Sequence, residues 1–209
     1  MKEIKHTTIE VGMYEVNCTI LEIGDKAWIV DPGSEGERIS ELILSKGLSA
    51  EAILLTHAHF DHIGAIPFLQ RRFPGLPVYV GKNDIAVINH PMNQLPPEYP
   101  PLPMPDPIEE ASSISGKNGM ETIETPGHTP GGVCYFLPGS DESEPLLLSG
   151  DTLFAGSVGR TDFPGGDMSK LYSSLKKLAV LPENTIVIPG HGRITTIGEE
   201  LKLNPFLSF

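Results

Sequence analysis

The sequence THAHFDHIG, residues 56–64, places three histidines and an aspartate within six residues. It follows AILLT (residues 52–56), a compact apolar run that predicts a strand buried on both faces. It overlaps HIGAIPFLQRRF (residues 62–73), which predicts a helix that tolerates Pro67 in its first turn. A strand end followed by a loop and a helix start is a place where side chains can converge without disrupting a sheet.

The spacing inside this motif indicates more than one metal position. His57 and His59 are two residues apart and can face one point if the local backbone is extended. Asp61 and His62 follow after the chain turns, so they can address a neighbouring point. The pattern therefore predicts two adjacent ions.

Three further apolar segments each end in a candidate ligand. TIETPGHTPGG supplies His128, LLLSGDTLF supplies Asp151, and IVIPGHG supplies His191. A single histidine in an interior loop is more often a hydrogen-bonded packing residue, but four segments that all end in a ligand type flanked by glycine favour a metal site. Nitrogen and carboxylate ligands without thiolate suit zinc, iron or manganese, and imidazole-rich sites favour zinc. The seven ligands divide into three histidines for one ion, Asp61 with two histidines for the other, and one shared carboxylate.

Composition limits the classes of function. The chain has 209 residues, which predicts one domain spanning residues 1–209. It carries 15 Lys+Arg against 27 Asp+Glu, and the formal charge of −12 argues against nucleic acid as a partner. Neither a signal peptide nor an apolar run of membrane-spanning length is evident, so we expect a cytoplasmic protein that does not bind membranes. Cys18 and Cys134 lie in apolar segments and are expected to be buried free thiols.

The periodicity predicts an α/β fold. Short strands recur in both halves of the chain with helices between them, which favours two sheets packed together and covered by helices. NDIAVIN (residues 83–89) predicts a short helix. Residues 91–107 hold eight prolines in seventeen positions and predict a rigid, extended loop, either a connector or a flap over a substrate site.

The motifs HAHFDH, PGHTPGG, SGDT and PGHG resemble the signature series of the metallo-β-lactamase superfamily, and Asp31 in VDPG matches its first motif. The resemblance runs across nearly the whole chain and implies an αββα sandwich, two mixed sheets covered by helices, with a two-metal centre at its edge. It implies two groups of ligands joined by a bridging Asp151, with Asp31 as a support and not a ligand. The first group is His57, His59 and His128, and the second is Asp61, His62 and His191.

Two longer segments resemble glyoxalase II, the hydroxyacylglutathione hydrolases, and in particular their short bacterial relatives. They are SGDTLFAGSVGRTDFPGGD (residues 149–167) and TTIGEELKLNPF (residues 195–206). Full-length glyoxalase II continues after the NPF element into a helical region that helps to bind glutathione. This sequence stops three residues after NPF, so we expect no C-terminal glutathione-binding helical domain.

The resemblance favours a small-molecule acyl thioester as substrate. Two ions about 3.5–4 Å apart can hold a hydroxide that attacks the thioester carbonyl, and zinc lowers the pKa of bound water to about 7. Asp151 would fix the ion spacing, and Asp61 would also accept a hydrogen bond from the hydroxide. Arg160 either pairs with Asp162 or contacts an anionic substrate group.

Other hypotheses remain open. Persulfide dioxygenases contain a segment similar to GRTDF (residues 159–163) of this sequence. Such an enzyme would use one iron, bound here by His57, His128 and Asp151. A lactonase, a β-lactamase or another ester hydrolase on the same site is a variant of the thioester hypothesis. A non-catalytic scaffold predicts missing ligands, and none is missing. The sequence also leaves a homo-oligomer open.

Overall fold

The first of two sheets contains the N-terminal strands. The computed structural model describes residues 4–140 and 143–208. Six strands form this sheet in chain order: β1 (Ile4–Val11), β2 (Val16–Ile23), β3 (Lys26–Val30), β4 (Ser49–Leu54), β5 (Val78–Val80) and β6 (Ile108–Glu110). The strands β1 to β3 pair antiparallel, and β3 to β6 pair parallel. The sheet is therefore mixed, with its parallel half ending beside the histidine motif.

The second sheet is built from the C-terminal half of the chain. Its strands are β7 (Glu121–Glu124), β8 (Val133–Leu137), β9 (Leu146–Gly150), β12 (Ile186–Pro189) and β13 (Thr195–Thr196). They lie in the order β13-β12-β9-β8-β7, and only β12 and β9 run parallel. A separate hairpin follows β9 and consists of β10 (Leu153–Phe154) and β11 (Ser157–Val158).

Helices cover the outer face of each sheet. They are α1 (Gly36–Ser45), α2 (Phe60–Ile63), α3 (Ile66–Arg72), α4 (Met168–Leu178) and α5 (Ile197–Leu203). Buried residues of α1 and α3 share one cluster with the first sheet, and buried residues of α4 and α5 share another with the second. Ile39 and Ile43 of α1 are four residues apart, which places both on the face toward the sheet.

The inner faces of the sheets form the central core. Trp28 and Leu54 of the first sheet meet Tyr135, Leu148 and Ile188 of the second in one buried cluster. The layers therefore follow the order helix, sheet, sheet, helix, and the predicted αββα sandwich of the metallo-β-lactamase type is confirmed. Cys18 and Cys134 are fully buried free thiols in the two outer layers.

The predicted helix over residues 62–73 is interrupted. It is divided into α2 and α3 at Gly64 and Ala65. The backbone of Gly64 lies against the carbonyl oxygen of Gly33, and a Cβ there would overlap with that oxygen. The break lets α2 remain close to the loop that follows β3.

The predicted helix over residues 83–89 is wrong. Only a short 3₁₀ segment, Lys82–Asp84, forms there, and successive turns follow it. Val87 and His90 instead donate their backbone N–H groups to the carbonyl oxygens three residues earlier, those of Asp84 and Val87, as in 3₁₀ turns. Pro91 then opposes any helical continuation, because it has no N–H to donate. The two-residue strands β10, β11 and β13 and the three-residue β6 were not expected, because segments this short show no periodicity.

The helices of the described residues do not have the features of membrane-spanning helices. Within residues 4–140 and 143–208, no helix combines the length and the apolar character that crossing a bilayer requires.

Candidate metal centre

The seven predicted ligands converge at one edge of the sandwich, and they come from both sheets. His57, His59, Asp61 and His62 follow β4 of the first sheet. The other three lie in loops of the second sheet: His128 between β7 and β8, Asp151 after β9, and His191 after β12. The fold thus brings together residues that are up to 134 positions apart in the chain.

One cluster contains three histidines. His57, His59 and His128 each offer a nitrogen, and these atoms all lie within 4.8 Å of one another. His59 Nδ1 is 2.9 Å from His128 Nε2. Two nitrogens on a tetrahedral zinc ion are about 3.4 Å apart, since each lies about 2.1 Å from the metal. The three rings are therefore close to the separation that one ion requires.

A second cluster contains a carboxylate and two histidines. Asp61, His62 and His191 also offer ligand atoms that lie within 4.8 Å of one another. His62 Nε2 is 3.3 Å from His191 Nε2, and Asp61 Oδ2 is 3.4 Å from the same His191 nitrogen. This set can hold a second ion with mixed nitrogen and oxygen ligands.

Asp151 lies between the two clusters. Its Oδ2 is 3.5 Å from His128 Nε2 in the first cluster and 3.7 Å from His191 Nε2 in the second. Among the described residues, Asp151 Oδ1 and His57 Nε2 are buried without a hydrogen-bond partner. Because unpaired buried polar atoms are costly, both atoms fit the role of metal ligands.

The outer nitrogen of each of three histidines is held by a protein oxygen. His128 Nδ1 lies 2.7 Å from the carbonyl oxygen of Arg160, and His191 Nδ1 lies 2.8 Å from that of Tyr14. A carbonyl oxygen can only accept, so both Nδ1 atoms are donors. For His57 the partner is Thr56 Oγ1, at 3.1 Å. In their neutral form these rings present the Nε2 lone pair to the site.

Asp31 supports the second cluster from outside. Its carboxylate accepts from the backbone N–H of Thr56 at 2.8 Å and from the Thr56 hydroxyl at 2.6 Å. Its Oδ2 is also 3.0 Å from His62 Nδ1, on the side of the ring away from Asp61 and Asp151. These contacts allow Asp31 to orient the His62 ring, and Asp31 stays predicted as a support.

Strand β2 anchors the loop that carries His191. The backbone N–H of Asn17 donates to the carbonyl oxygen of Gly190, and its side-chain amide donates to the carbonyl oxygens of Pro189 and Gly192. The first sheet therefore fixes a ligand loop that belongs to the second. A Cβ on Gly190 would overlap with the Asp151 carboxylate, which explains the glycine before His191.

The electrostatics differ between the two clusters. Burial and the neighbouring His128 lower the pKa of His59 to about 3, and burial likewise holds the pKa of His57 well below its usual range. Burial also disfavours the charged form of His62, but the carboxylates of Asp31, Asp61 and Asp151 raise its pKa to about 10. Neutral imidazole is the form that binds metal, so the first cluster is preorganised and the second must lose a proton.

The rim of the site carries Arg160 on the loop after β11. Its guanidinium forms two hydrogen bonds with Asp162, at 2.7 and 2.6 Å, and stacks 3.9 Å from the centre of the Phe163 ring. The edge of that ring faces His59 at a centroid distance of 5.7 Å. The Arg160 side chain is 56% exposed, so solvent molecules can reach it.

The proline-rich segment 91–107 is attached to the site at two points. Asn93 donates to the carbonyl oxygen of Ala58, inside the histidine motif. The Tyr99 ring packs 4.7 Å from the Phe60 ring and 6.0 Å from the Tyr14 ring. The segment is therefore more than a remote connector, since it borders the loop that carries Asp61.

Several supporting groups were not found by sequence reasoning. The carbonyl oxygens of Tyr14 and Arg160 carry no sequence signal, because every residue has one. Thr56 and Asn17 are single polar residues in strands or at their ends, where a packing role is the usual interpretation. One indication of a supporting role for Thr56 was present in the sequence, because this residue directly precedes the first candidate ligand, His57.

Comparison with known proteins identifies the family. The family model of the metallo-beta-lactamase superfamily matches residues 11–191. "Probable metallo-hydrolase YqgX" of Bacillus subtilis is 40% identical and is matched over 98% of both chains. "Hydroxyacylglutathione hydrolase GloC" of Haemophilus influenzae is 36% identical over 96% of both chains.

Solved structures agree with these matches. The BLEG-1 B3 metallo-beta-lactamase superposes with a TM-score of 0.86 at 36% identity, covering 98% of this chain and all of that one. TTHA1623 in a di-iron-bound form gives a TM-score of 0.81 at 38% identity, covering 96% of this chain and all of that one. With the converging ligand clusters, these matches show that the chain belongs to the metallo-beta-lactamase superfamily of metal-dependent enzymes.

Proposed function

We propose that the protein is a binuclear metal-dependent hydrolase of acyl thioesters, similar to glyoxalase II. One observation carries the proposal: two complete ligand clusters lie side by side and share Asp151. A one-metal enzyme has no need of the second cluster, in which His62 is buried and Asp61 and His191 are partly buried.

The residues of the site have distinct roles in this proposal. Two bound divalent ions supply Lewis acidity, which lowers the pKa of water and polarises a carbonyl oxygen. Asp151 holds the clusters at a fixed separation through its two oxygens. Asp61 directs one carboxylate oxygen into the site, where it can bind the second ion and accept a hydrogen bond from the attacking water. The Tyr14 and Arg160 carbonyls keep the ligand rings in place.

A thioester substrate is favoured by chemistry and by one relative. Thioester hydrolysis releases a thiolate, a soft ligand that zinc held by these residues would accept well. The 36% identical relative is named a hydroxyacylglutathione hydrolase. Arg160 is our candidate for contact with an anionic group of the substrate, which would exchange its pairing with Asp162.

Zinc is the ion we propose for both positions, with iron or manganese as alternatives. The ligands are nitrogen and carboxylate only, which suits all three metals. The di-iron form of the similar TTHA1623 keeps iron under consideration.

Metal analysis and a substrate panel test the proposal together. We expect close to two ions per chain after loading with zinc, and turnover of S-lactoylglutathione and of lactoyl thioesters of smaller thiols. The panel should include a lactone and a chromogenic cephalosporin, because a similar solved structure is a B3 metallo-beta-lactamase. A folded protein that holds one ion under zinc excess, or that cleaves only the lactone or the cephalosporin, would contradict the proposal.

A persulfide dioxygenase is the second candidate. Two observations support it. The sequence contains the segment GRTDF, and His128 Nε2 lies 3.5 Å from Asp151 Oδ2. These two side chains are two of the three groups that would bind a single iron. An oxygen electrode separates the candidates: rapid oxygen uptake with glutathione persulfide by the iron-loaded protein, without thioester turnover, would favour the dioxygenase.

A further inference from the structure

Both backbone groups of Ala58, the residue between His57 and His59, are bound by buried side chains. Its N–H donates to Asp84 Oδ2 at 3.1 Å, and its carbonyl oxygen accepts from Asn93 Nδ2 at 2.7 Å. The Asp84 side chain has no exposed surface, and Asn93 is 1% exposed. The N–H belongs to the peptide between His57 and Ala58, and the carbonyl belongs to the peptide between Ala58 and His59. Each of these two peptides is therefore restrained, and with them the backbone from which both imidazoles project.

Asp84 also binds the loop that carries His128. Its other oxygen, Oδ1, accepts from the backbone N–H of Gly131 at 2.6 Å. The contact is close, since a Cβ on Gly131 would overlap with the backbone nitrogen of Asp84, and a Cβ on Gly81 would overlap with the Gly131 carbonyl oxygen. One carboxylate therefore links the two loops that carry the three histidines of the first cluster.

Burying a carboxylate completely is energetically unfavourable. Burial raises the pKa of Asp84, and the hydrogen bonds from Gly131 and Ala58 act in the opposite direction. An apolar residue could fill the same space at lower cost. Asp84 uses one oxygen on each ligand loop, which an apolar residue could not do.

We propose that Asp84 and Asn93 are positioning residues that set the relative placement of His57, His59 and His128, and so the affinity and geometry of the first metal position. Neither residue belongs to the two clusters of candidate ligands. The inference rests on the proposed metal centre and assigns a purpose to the start of the proline-rich segment, because Asn93 lies within it.

Asp84→Asn is the main test, because it keeps the shape and removes one acceptor. The asparagine can accept from Ala58 or from Gly131, but its NH₂ group then faces the other N–H. Glu200→Gln is the matched control. Glu200 is a 1% exposed carboxylate that accepts from the N–H of Gly156 and the Thr195 hydroxyl, away from both ligand loops.

The variants are made in the full chain, alone and in an Asp61→Ala background that retains only the first position. Zinc affinity is measured by competition with a chromophoric chelator, and the coordination geometry is measured by the absorption bands of bound cobalt(II). For Asp84→Asn we expect a loss of about 10–100-fold in zinc affinity and altered cobalt bands. For Glu200→Gln we expect a lower melting temperature, but the same zinc affinity and the same cobalt(II) absorption bands as the parent protein.

The outcomes separate this inference from the metal proposal. If Asp84→Asn lowers the melting temperature as Glu200→Gln does but leaves zinc affinity and cobalt bands unchanged, the positioning role is wrong. If the parent chain binds no zinc, the proposed function itself fails. Should Asp84→Asn not fold, Asn93→Ala removes the donor to the Ala58 carbonyl together with the contacts to the Val87 and Ile88 carbonyls, and we expect it to weaken zinc binding about tenfold. Unchanged affinity in that variant would likewise overturn the inference.

Discussion

Replacing Asp61 by alanine should remove one ion and nearly all thioester hydrolysis. The side chain is 13% exposed and lies within 4.0 Å of ligand nitrogens on both His62 and His191. Its loss leaves the second cluster with two histidines and the shared Asp151. We expect the first ion to remain, because His57, His59 and His128 do not use Asp61.

The structure indicates the scale of the effect. Burial alone would raise the pKa of Asp61, yet the charge of His62 and the hydrogen bond and charge of His191 lower it from 3.8 to about 2. That difference corresponds to about 60-fold in an equilibrium constant. A divalent ion interacts with the carboxylate more strongly than a singly charged imidazolium does. We therefore expect the affinity of the second position for zinc to fall by at least about tenfold.

The assay combines metal content, zinc competition and turnover of S-lactoylglutathione for the parent and Asp61→Ala. Asp25→Ala is the control, because Asp25 is an exposed aspartate in the turn between β2 and β3. Asp25→Ala should match the parent in all three measurements. A variant Asp61→Ala that binds two ions with parent affinity, or hydrolyses at more than a tenth of the parent rate, would refute the assignment of Asp61. Iron retention with oxygen uptake on persulfide would instead favour the dioxygenase.

Other predictions follow from the surroundings of the ligands. Asp31→Asn should weaken zinc binding about 10–100-fold, measured by chelator competition, because its carboxylate orients His62. Zinc affinity of the second position should fall as the pH is lowered through neutrality. The pKa of His62 is about 10, so this histidine is protonated at neutral pH, and an ion that binds there must displace the proton of His62. Calorimetry in two buffers of different ionisation enthalpy should detect that proton. Gly33→Ala, whose Cβ would overlap with the Asp61 carbonyl oxygen, should lower both the melting temperature and zinc affinity. Gly47→Ala is the matched control, because a Cβ on Gly47 would meet open space. Gly47 has a left-handed backbone conformation, which alanine disfavours, so the variant should lose only about 1–2 kcal/mol of folding stability and retain parent zinc affinity.

Residues with a strong local signal could be predicted from the sequence. The seven candidate ligands were selected because each stands at the end of an apolar run with a glycine near it, and the structure brings all seven side chains together. The layers of the sandwich followed from strands and helices of ordinary length. Both inferences depend on patterns that repeat along the chain.

Features that depend on tertiary contact could not be predicted. Residues 83–89 have helical periodicity, but the Asp84 carboxylate is bound by the N–H groups of Ala58 and Gly131, and the backbone after it forms separate turns. The break between α2 and α3 involves a tertiary contact, since the N–H of Ala65 donates to the Pro32 carbonyl oxygen and not to a carbonyl of α2. Pro67 in the first turn of α3 also opposes a continuous helix, and this residue was visible in the sequence. In the sequence, Asp84 is an ordinary polar residue of the helix predicted over residues 83–89, and only the fold shows that its carboxylate is buried between two ligand loops.

Each ligand cluster draws on both sheets, and this division couples metal supply to the survival of the folded chain. An ion at either position would contact the loop after β4 and a loop of the second sheet, so separation of the sheets during unfolding must release it. At a free metal concentration 100 times its Kd, one ion adds about 2.7 kcal/mol to the free energy of unfolding. Chains starved of metal would therefore open more often and be cleared sooner by proteases, so that a cell short of metal would accumulate little inactive enzyme.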